Sequence, residues 1–271
     1  MNGFFYRPET LTTRWINRIL WFYFIVFIFQ QITHVWFNCG LLDALFCLQP
    51  SSCINLQIWR LFTYSFLHSD FWHIFFNLLL FYGSSRLLLQ GELKLKQLLV
   101  LYSSGIVFGG LAWSLMHLQQ PHYVLIGASA GVACLWTYFF LLYPEKTLSI
   151  LLFFVFPVNL KARWCLTFFI GYELLNCLFF ELQGMTLVAH SAHLGGALMG
   201  YLWFKYQNYA ENHPKNKPQQ TTQKSRYFVH IEQDNVIQDV PFGLLKKLQE
   251  EGIGALSAEE RRWLENYRKL K

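Results

Sequence analysis

Long apolar windows almost free of charged residues constrain this chain more than any other feature of its sequence. Between Asn17 and Arg60, the charged residues other than Arg60 itself are Arg18 and Asp43. Over the whole chain 14% of the residues are charged, whereas an ordinary soluble domain carries about 25%. Apolar windows of about 20 residues predict helices that span a membrane.

Six windows are long and apolar enough to predict transmembrane helices, at 15–37, 71–90, 96–118, 127–143, 163–181 and 188–207. A seventh apolar stretch, Leu148–Val158, is short and carries Pro157 near its end, so we expect it to be interfacial or re-entrant. The predicted fold class is an all-α integral membrane protein, a six-helix bundle with a small C-terminal helical tail.

The distribution of Lys and Arg predicts the orientation. With six spans, one face of the membrane holds 21 of the 22 basic residues, in segments 1–20, 83–97, 144–164 and 204–271. The positive-inside rule therefore predicts that both termini are cytoplasmic. Because the net charge of +6 arises from these loops, it does not indicate a nucleic-acid partner.

The predicted domains are a membrane domain at 1–207, a polar linker at 208–225 and a cytoplasmic helical tail at 226–271. In the tail, Pro241 suits the first turn of a helix, and the segment from Ser257 to Glu260 is typical of a capping box before a second helix.

The first outer loop, 38–70, is long enough to predict structure or function of its own. Cys39, Cys47 and Cys53 lie in it, and a disulfide among them is permitted if the compartment is oxidising.

Polar side chains inside the apolar windows are functional candidates, because they are costly in hydrocarbon. Ser129 is surrounded by small residues. Gly127 and Gly131 are four residues apart, as are Gly196 and Gly200 in the last window, and such pairs let two helices approach closely. If these helices pack through their glycines, His193 can reach Ser129, which is the arrangement of a general base and a nucleophile.

A carboxylate partner for His193 is not evident from the sequence. The four aspartates lie outside the predicted spans, and Glu173 lies near the middle of a different helix. We therefore predict a dyad of Ser129 and His193 rather than a triad, with His190 as a candidate orienting group.

Donors for an oxyanion are also available. His73 and Asn77 share one helix face, because they are four residues apart. The backbone N–H of Ser129 lies near a helix start, where amides lack intrahelical partners.

Four motifs follow one another over residues 55–205: Trp59-Arg60, the FLHSDFWHIFFN segment, Gly127-Ala128-Ser129 and the AHLGGALMG helix. In this order and spacing they resemble the rhomboid family of intramembrane serine proteases. The segment between the fourth and fifth spans also resembles the family's connector, and the tail resembles a helical domain appended to some bacterial members.

The resemblance implies a six-span rhomboid-like bundle in which Ser129 is the nucleophile and His193 is the base. His73, Asn77 and the Ser129 amide would form the oxyanion hole, and Trp59 and Arg60 would belong to an outer loop half-embedded in the bilayer. It further implies substrates that are transmembrane proteins, no metal or cofactor, and a place in a bacterial inner membrane. Ala133 departs from the family, which usually has an aromatic residue there, stacked beneath the histidine.

Three alternatives remain open from the sequence. One is a catalytically silent rhomboid-like protein that binds membrane clients. Another is a metal or haem protein that uses His34, His73, His117, His190 and His193, although the chain has no HExxH motif and we expect no carboxylate beside these histidines. A solute transporter would be expected to show paired broken helices in two halves, and the sequence does not.

Overall fold

The computed structural model describes residues 11–91, 93–152 and 156–213, together with the short segments 228–229, 240–241, 256–257 and 259–260. The chain divides into two compact units, the first ending at His213 and the second beginning at Pro214.

The first unit is mostly helical. Its described helices are α1 (Leu11–Phe37), α2 (Leu41–Phe46), α3 (Arg60–Thr63), α4 (Phe71–Leu89), α5 (Leu95–Met116), α6 (Ser129–Leu142), α7 (Ala162–Asn176) and α8 (His190–Asn212). A 3₁₀ turn, Tyr64–Phe66, follows α3, and a π-helical turn, Cys177–Glu181, follows α7.

The six longest helices coincide with the six predicted windows, and three segments are long and apolar enough to cross a membrane. These are Thr13–Phe37, Leu95–Met116 and Ala162–Glu181, and Ser129–Leu142 is a shorter apolar helix. The remaining two of the six longest helices, α4 and α8, contain polar side chains that make them less apolar.

The outer surface carries large apolar side chains at a density unsuited to water. Trp21 is 63% exposed on α1 and Phe168 is 61% exposed on α7, and Trp36 reaches 81%. Contiguous apolar patches larger than a few hundred Å² are rare on soluble monomers. A hydrocarbon surrounding explains this surface, so the protein is membrane-embedded.

An antiparallel pair of strands in the first unit departs from the all-helical expectation. Strand β1 (Thr147–Leu152) pairs antiparallel with β2 (Phe156–Lys161), and Leu151 lies opposite Pro157. Proline is tolerated because both strands of a two-stranded sheet are edges. The described residues of the seventh apolar stretch, up to Leu152 and from Phe156, therefore lie in paired strands and not in a helix.

Helices α5, α6 and α8 pack closely around a common core. A Cβ atom added to Gly196 would lie 2.0 Å from the Ala130 carbonyl oxygen, and one at Gly200 would lie 2.5 Å from the Cys134 carbonyl oxygen. Gly196 and Gly200 therefore lie directly on the α6 backbone, which favours a helix–helix contact.

The glycine pair expected on α6 has a different role. Gly131 faces α5, where an added Cβ would lie 2.6 Å from the Tyr102 ring. Gly127 lies before the helix with φ of +109°. The prediction that both glycine pairs line one interface was wrong. Ala130 and Cys134 lie at the contact with Gly196 and Gly200, whereas Gly131 faces α5 and Gly127 precedes the helix.

The loop from 38 to 70 has structure of its own, as its length predicted. The Arg60 guanidinium is buried and donates hydrogen bonds to the carbonyls of Ala44 and Cys47, which hold α3 against the end of α2. Trp59 donates to the Leu45 carbonyl at 3.3 Å. All six cysteines are free, so no disulfide joins the three in this loop.

In the second unit, β3 (Phe228–Val229) pairs antiparallel with β4 (Val240–Pro241). Pro241 thus lies in a strand and not in the first turn of a helix. The predicted capping box is confirmed, because the Ser257 N–H donates to Glu260 Oε2 at 2.7 Å and the Glu260 N–H donates to Ser257 Oγ at 3.3 Å. The remainder of the predicted tail helices falls outside the described residues.

Candidate active site

The turn before α6 presents Ser129 at the first position of the helix. Leu48 and Leu125 form an isolated β-bridge, and the Gly127 N–H donates to the Tyr64 carbonyl at 3.0 Å. The positive φ of Gly127 suits glycine because it carries no Cβ atom. The 38–70 loop therefore holds this turn in place, and Ser129 follows it directly.

His193 lies within hydrogen-bond distance of Ser129. The Nε2 atom of His193 is 2.7 Å from the Ser129 hydroxyl oxygen, and both side chains are partly exposed. The contact joins the first turns of α8 and α6, which the Gly196 approach brings together. The structure thus places together the two residues that the sequence paired.

A carboxylate completes this chain of hydrogen bonds. Glu173 Oε2 lies 3.0 Å from Nδ1 of His193, and the side chain of Glu173 is buried. The expectation that His193 has no carboxylate partner was wrong. Glu173 was not expected to contact His193, because the two residues lie on different helices. In the structure α7 packs on α8 and directs the carboxylate toward the histidine.

His190 shares the same carboxylate oxygen. Its Nδ1 atom lies 2.7 Å from Glu173 Oε2, and the His190 side chain is buried. A carboxylate accepts hydrogen bonds and does not donate them. Both imidazoles therefore present Nδ1–H to Glu173, which leaves Nε2 of His193 with the lone pair that can accept the Ser129 proton.

These three side chains are also the cluster in the described part of the chain that could hold a metal ion. Glu173, His190 and His193 each offer a ligand atom, and these atoms lie within 4.8 Å of one another. The expectation that no carboxylate accompanies the histidines is therefore wrong. A metal on Nδ1 of His193 would place the proton of a neutral ring on Nε2, which could then not accept from Ser129. Metal binding and a base role for His193 are mutually exclusive in this arrangement.

His73 reaches the Ser129 turn from α4. A Cβ atom added to Gly127 would lie 2.6 Å from His73 Nε2. The Ser69 backbone N–H faces His73 Nδ1 at 3.5 Å, and the Ser69 hydroxyl lies 3.1 Å from the same atom. Because a backbone N–H can only donate, Nδ1 is the acceptor and Nε2 carries the proton. His73 can thus offer a donor beside Ser129.

Asn77 is buried one turn further along α4, and its amide donates to the His73 carbonyl at 2.9 Å. The amide nitrogen has a second N–H, which is the one available for a ligand.

His68 is a neighbour of the site that the sequence did not single out. Its ring packs edge-on against that of His73, with centroids 4.9 Å apart. Burial lowers the pKa of His68 to about 3, and the nearby His73 acts in the same direction. His68 is therefore neutral at physiological pH and adds no positive charge beside His73.

Trp136, the first aromatic residue after Ser129 in α6, contacts α4 and its own helix. Its indole N–H donates to the Leu80 carbonyl of α4 at 3.1 Å, and its ring packs against Phe139 and Phe140. Ala133 is buried and offers a methyl group, so no aromatic ring at this position stacks on His193.

Asp70 caps the helix that carries His73. Its Oδ1 atom accepts from the His73 backbone N–H at 3.0 Å. Hydrogen bonds from the Ser69 hydroxyl and then from this N–H lower the pKa of Asp70 below its ordinary value. The cap therefore fixes the start of α4, and with it the position of His73.

We expect Asp70→Ala to lower the free energy of unfolding by about 1 kcal/mol at neutral pH, the usual cost of losing an N-cap. The carboxylate has a depressed pKa in the folded state, so its contribution is present above the unfolded pKa of about 4 and is lost as pH falls through the folded value. Thermal unfolding in detergent at pH 7 and pH 3 measures both effects. Asp70→Asn, which keeps a capping oxygen, is the control. Equal stabilities of the alanine variant and wild type at pH 7 would contradict the role of this cap.

A family model described as the Rhomboid domain matches residues 55–207, which is more than half of the chain. No curated protein sequence matches the chain. The matched region contains the Ser129 turn, α4, α7 and most of α8, and therefore Ser129, His193, Glu173, His190, His73 and Asn77.

Proposed function

Because the chain belongs to the rhomboid family, we propose that it is an intramembrane serine endopeptidase that cleaves transmembrane segments of other membrane proteins. Ser129 is the nucleophile and His193 is the general base. The observation that best supports this proposal is the 2.7 Å contact between the Ser129 hydroxyl and His193 Nε2. A nucleophile and a base within hydrogen-bond reach are the signature of covalent acyl transfer.

The proposed reaction begins with transfer of the Ser129 hydroxyl proton to His193 Nε2 while Oγ attacks the carbonyl carbon of the substrate peptide bond. The resulting oxyanion receives hydrogen bonds from the Ser129 backbone N–H, His73 and Asn77. His193 then donates its proton to the leaving amine, and the acyl-enzyme forms. A water molecule that loses its proton to His193 hydrolyses this ester and regenerates Ser129.

The proposed topology has six spans with both termini in the cytoplasm, in a bacterial inner membrane. Helices α1, α4, α5, α6, α7 with its π-turn, and α8 are the spans, and the β1–β2 hairpin lies at the cytoplasmic face. Lys161 and Arg163 at the base of this hairpin pair with Glu145 at 2.8 and 2.7 Å, which suits an aqueous surface. Since α6 begins at Ser129, the nucleophile lies close to the outer surface, where water can enter.

A silent client-binding protein is the second candidate, and the absence of an aromatic residue at Ala133 favours it. The polar chain through Ser129, His193 and Glu173 weighs against it, because buried polar groups carry a cost that a merely structural helix contact can avoid.

Cleavage of a reporter by the purified protein tests the proposal. We expect the protein in liposomes to cut a single-span reporter within its transmembrane segment, and to do so equally with and without EDTA. Mass spectrometry of the products locates the cleaved bond, and elemental analysis measures bound metal. Binding of the reporter without cleavage would favour the silent protein, and activity lost with EDTA and restored by a divalent metal would contradict a serine mechanism.

A further inference from the structure

The contacts of Glu173 go beyond what a dyad of Ser129 and His193 requires. Its Oε2 atom accepts hydrogen bonds from His190 and His193 at 2.7 and 3.0 Å, and the residue is 5% exposed. A buried carboxylate needs such partners, because an unpaired one would be very costly. The same contacts also fix which nitrogen of His193 faces Ser129.

We propose that Glu173 is a positioning residue for His193, so that the site works as a Ser129–His193–Glu173 triad. This inference rests on the proposed function. Glu173 holds the imidazole with Nδ1–H toward the carboxylate and the Nε2 lone pair toward Ser129. When the Ser129 proton moves to Nε2, the ring becomes positively charged, and the adjacent carboxylate stabilises that charge. The Nδ1 proton stays on the ring throughout.

The π-helical turn after α7 explains how the carboxylate reaches α8 together with a second one. The Leu182 N–H donates to the Cys177 carbonyl, five residues earlier, at 3.1 Å. Eight residues of regular α-helix place Glu181 about 80° around the axis from Glu173. A turn with one extra residue reduces that angle to about 20°, so both carboxylates face α8.

Glu181 provides a natural comparison. It is buried like Glu173, at 3% exposed. Its oxygens accept from the Ser191 backbone N–H and hydroxyl, both at 2.6 Å, and its Oε1 lies 3.7 Å from His117 Nε2. Glu181 therefore satisfies donors in the first turn of α8, which is a structural role at a helix start. Only the contact made by Glu173 leads to Ser129.

His190 restrains Glu173 from the other side. Its ring packs edge-on against Tyr172, with centroids 5.9 Å apart, and its Nδ1–H occupies the same carboxylate oxygen as His193. With Ala133 offering no ring to stack on His193, the hydrogen bond that His193 Nδ1–H donates to Glu173 is the contact that sets the orientation of the imidazole in this structure.

Kinetics of matched variants in liposomes test the inference. We expect Glu173→Gln to lower kcat about 10²- to 10⁴-fold with KM nearly unchanged, because the substrate does not contact this side chain. Glu181→Gln should lower the unfolding temperature while kcat stays within about threefold of wild type. A kcat of Glu173→Gln close to that of wild type would overturn the inference, and so would an equal loss of kcat in both variants.

Two further variants keep the outcomes distinct. Ser129→Ala reports on the proposed function itself, so cleavage that persists in Ser129→Ala rejects the proposed serine mechanism. Loss in Ser129→Ala without loss in Glu173→Gln rejects the triad alone. Should Glu173→Gln fail to fold, Glu173→Asp replaces it, because the negative charge is kept while the shorter side chain withdraws the carboxylate from Nδ1 of both histidines. Wild-type kcat in a folded Glu173→Asp protein would then overturn the inference.

Discussion

Ser129→Ala is expected to reduce cleavage of a transmembrane reporter to the background of the assay, a loss of at least about 10⁴-fold in kcat. The substitution removes the hydroxyl oxygen that lies 2.7 Å from His193 Nε2 and leaves a methyl group that cannot form an acyl-enzyme. The backbone N–H at position 129 remains, so the oxyanion donors are kept while the nucleophile is lost. Reporter cleavage in liposomes, quantified over several hours, measures the loss.

The fold should tolerate this substitution, because Ser129 is partly exposed at the start of α6 and alanine is a good helix former. Ser104→Ala is the matched control: Ser104 also lies in an apolar helix, and its hydroxyl donates to the Leu101 carbonyl of the same helix at 2.8 Å. We expect wild-type activity from the control and equal unfolding temperatures for all three proteins. Undiminished cleavage by Ser129→Ala would reject Ser129 as the nucleophile.

The helices and the pairing of Ser129 with His193 follow from patterns that are local in the sequence. Apolar windows predict helices because each window must satisfy its backbone within itself in a membrane. The motif order indicates which helices carry the polar groups. The β1–β2 hairpin was harder to predict, since a short apolar run has no period that distinguishes a strand from an interfacial helix.

The role of Glu173 could not be predicted, because it depends on the direction in which one helix face points. The sequence places Glu173 and His193 on different helices, 20 residues apart. Their contact requires the packing of α7 on α8, which has no recognisable signal in the sequence. A carboxylate in an apolar window was the available signal, since such a residue is costly unless it has a partner.

The glycine pattern shows the same limit. The four-residue spacing correctly indicated a close approach at Gly196 and Gly200, but it did not indicate which surface of α6 they meet. The spacing indicates that one face of a helix carries small residues. Which helix packs against that face depends on how the whole bundle assembles.

Gly196→Ala is expected to lower activity about 10²-fold or more and to lower the free energy of unfolding by about 1–3 kcal/mol, the usual cost of overpacking. An added Cβ would lie 2.0 Å from the Ala130 carbonyl oxygen and 2.8 Å from its carbon. These are backbone atoms of α6, which cannot rotate away as a side chain can, so α8 must shift. His193 lies one turn earlier on α8, and a shift of about 1 Å there breaks the contact with Ser129 on which proton transfer depends.

Gly171→Ala is the matched control, because Gly171 lies in α7 and an added Cβ meets no atom within 4 Å. There the substitution should be neutral or raise stability by up to about 1 kcal/mol, through the better helix propensity of alanine. Gly200→Ala, whose Cβ would lie 2.5 Å from the Cys134 carbonyl oxygen, should be intermediate in activity, because it lies a further turn from His193. Reporter cleavage and thermal unfolding of the three variants test this order. Full activity in Gly196→Ala would show that the approach of α8 to α6 does not position the base, and the proposed mechanism would then need a different partner for Ser129.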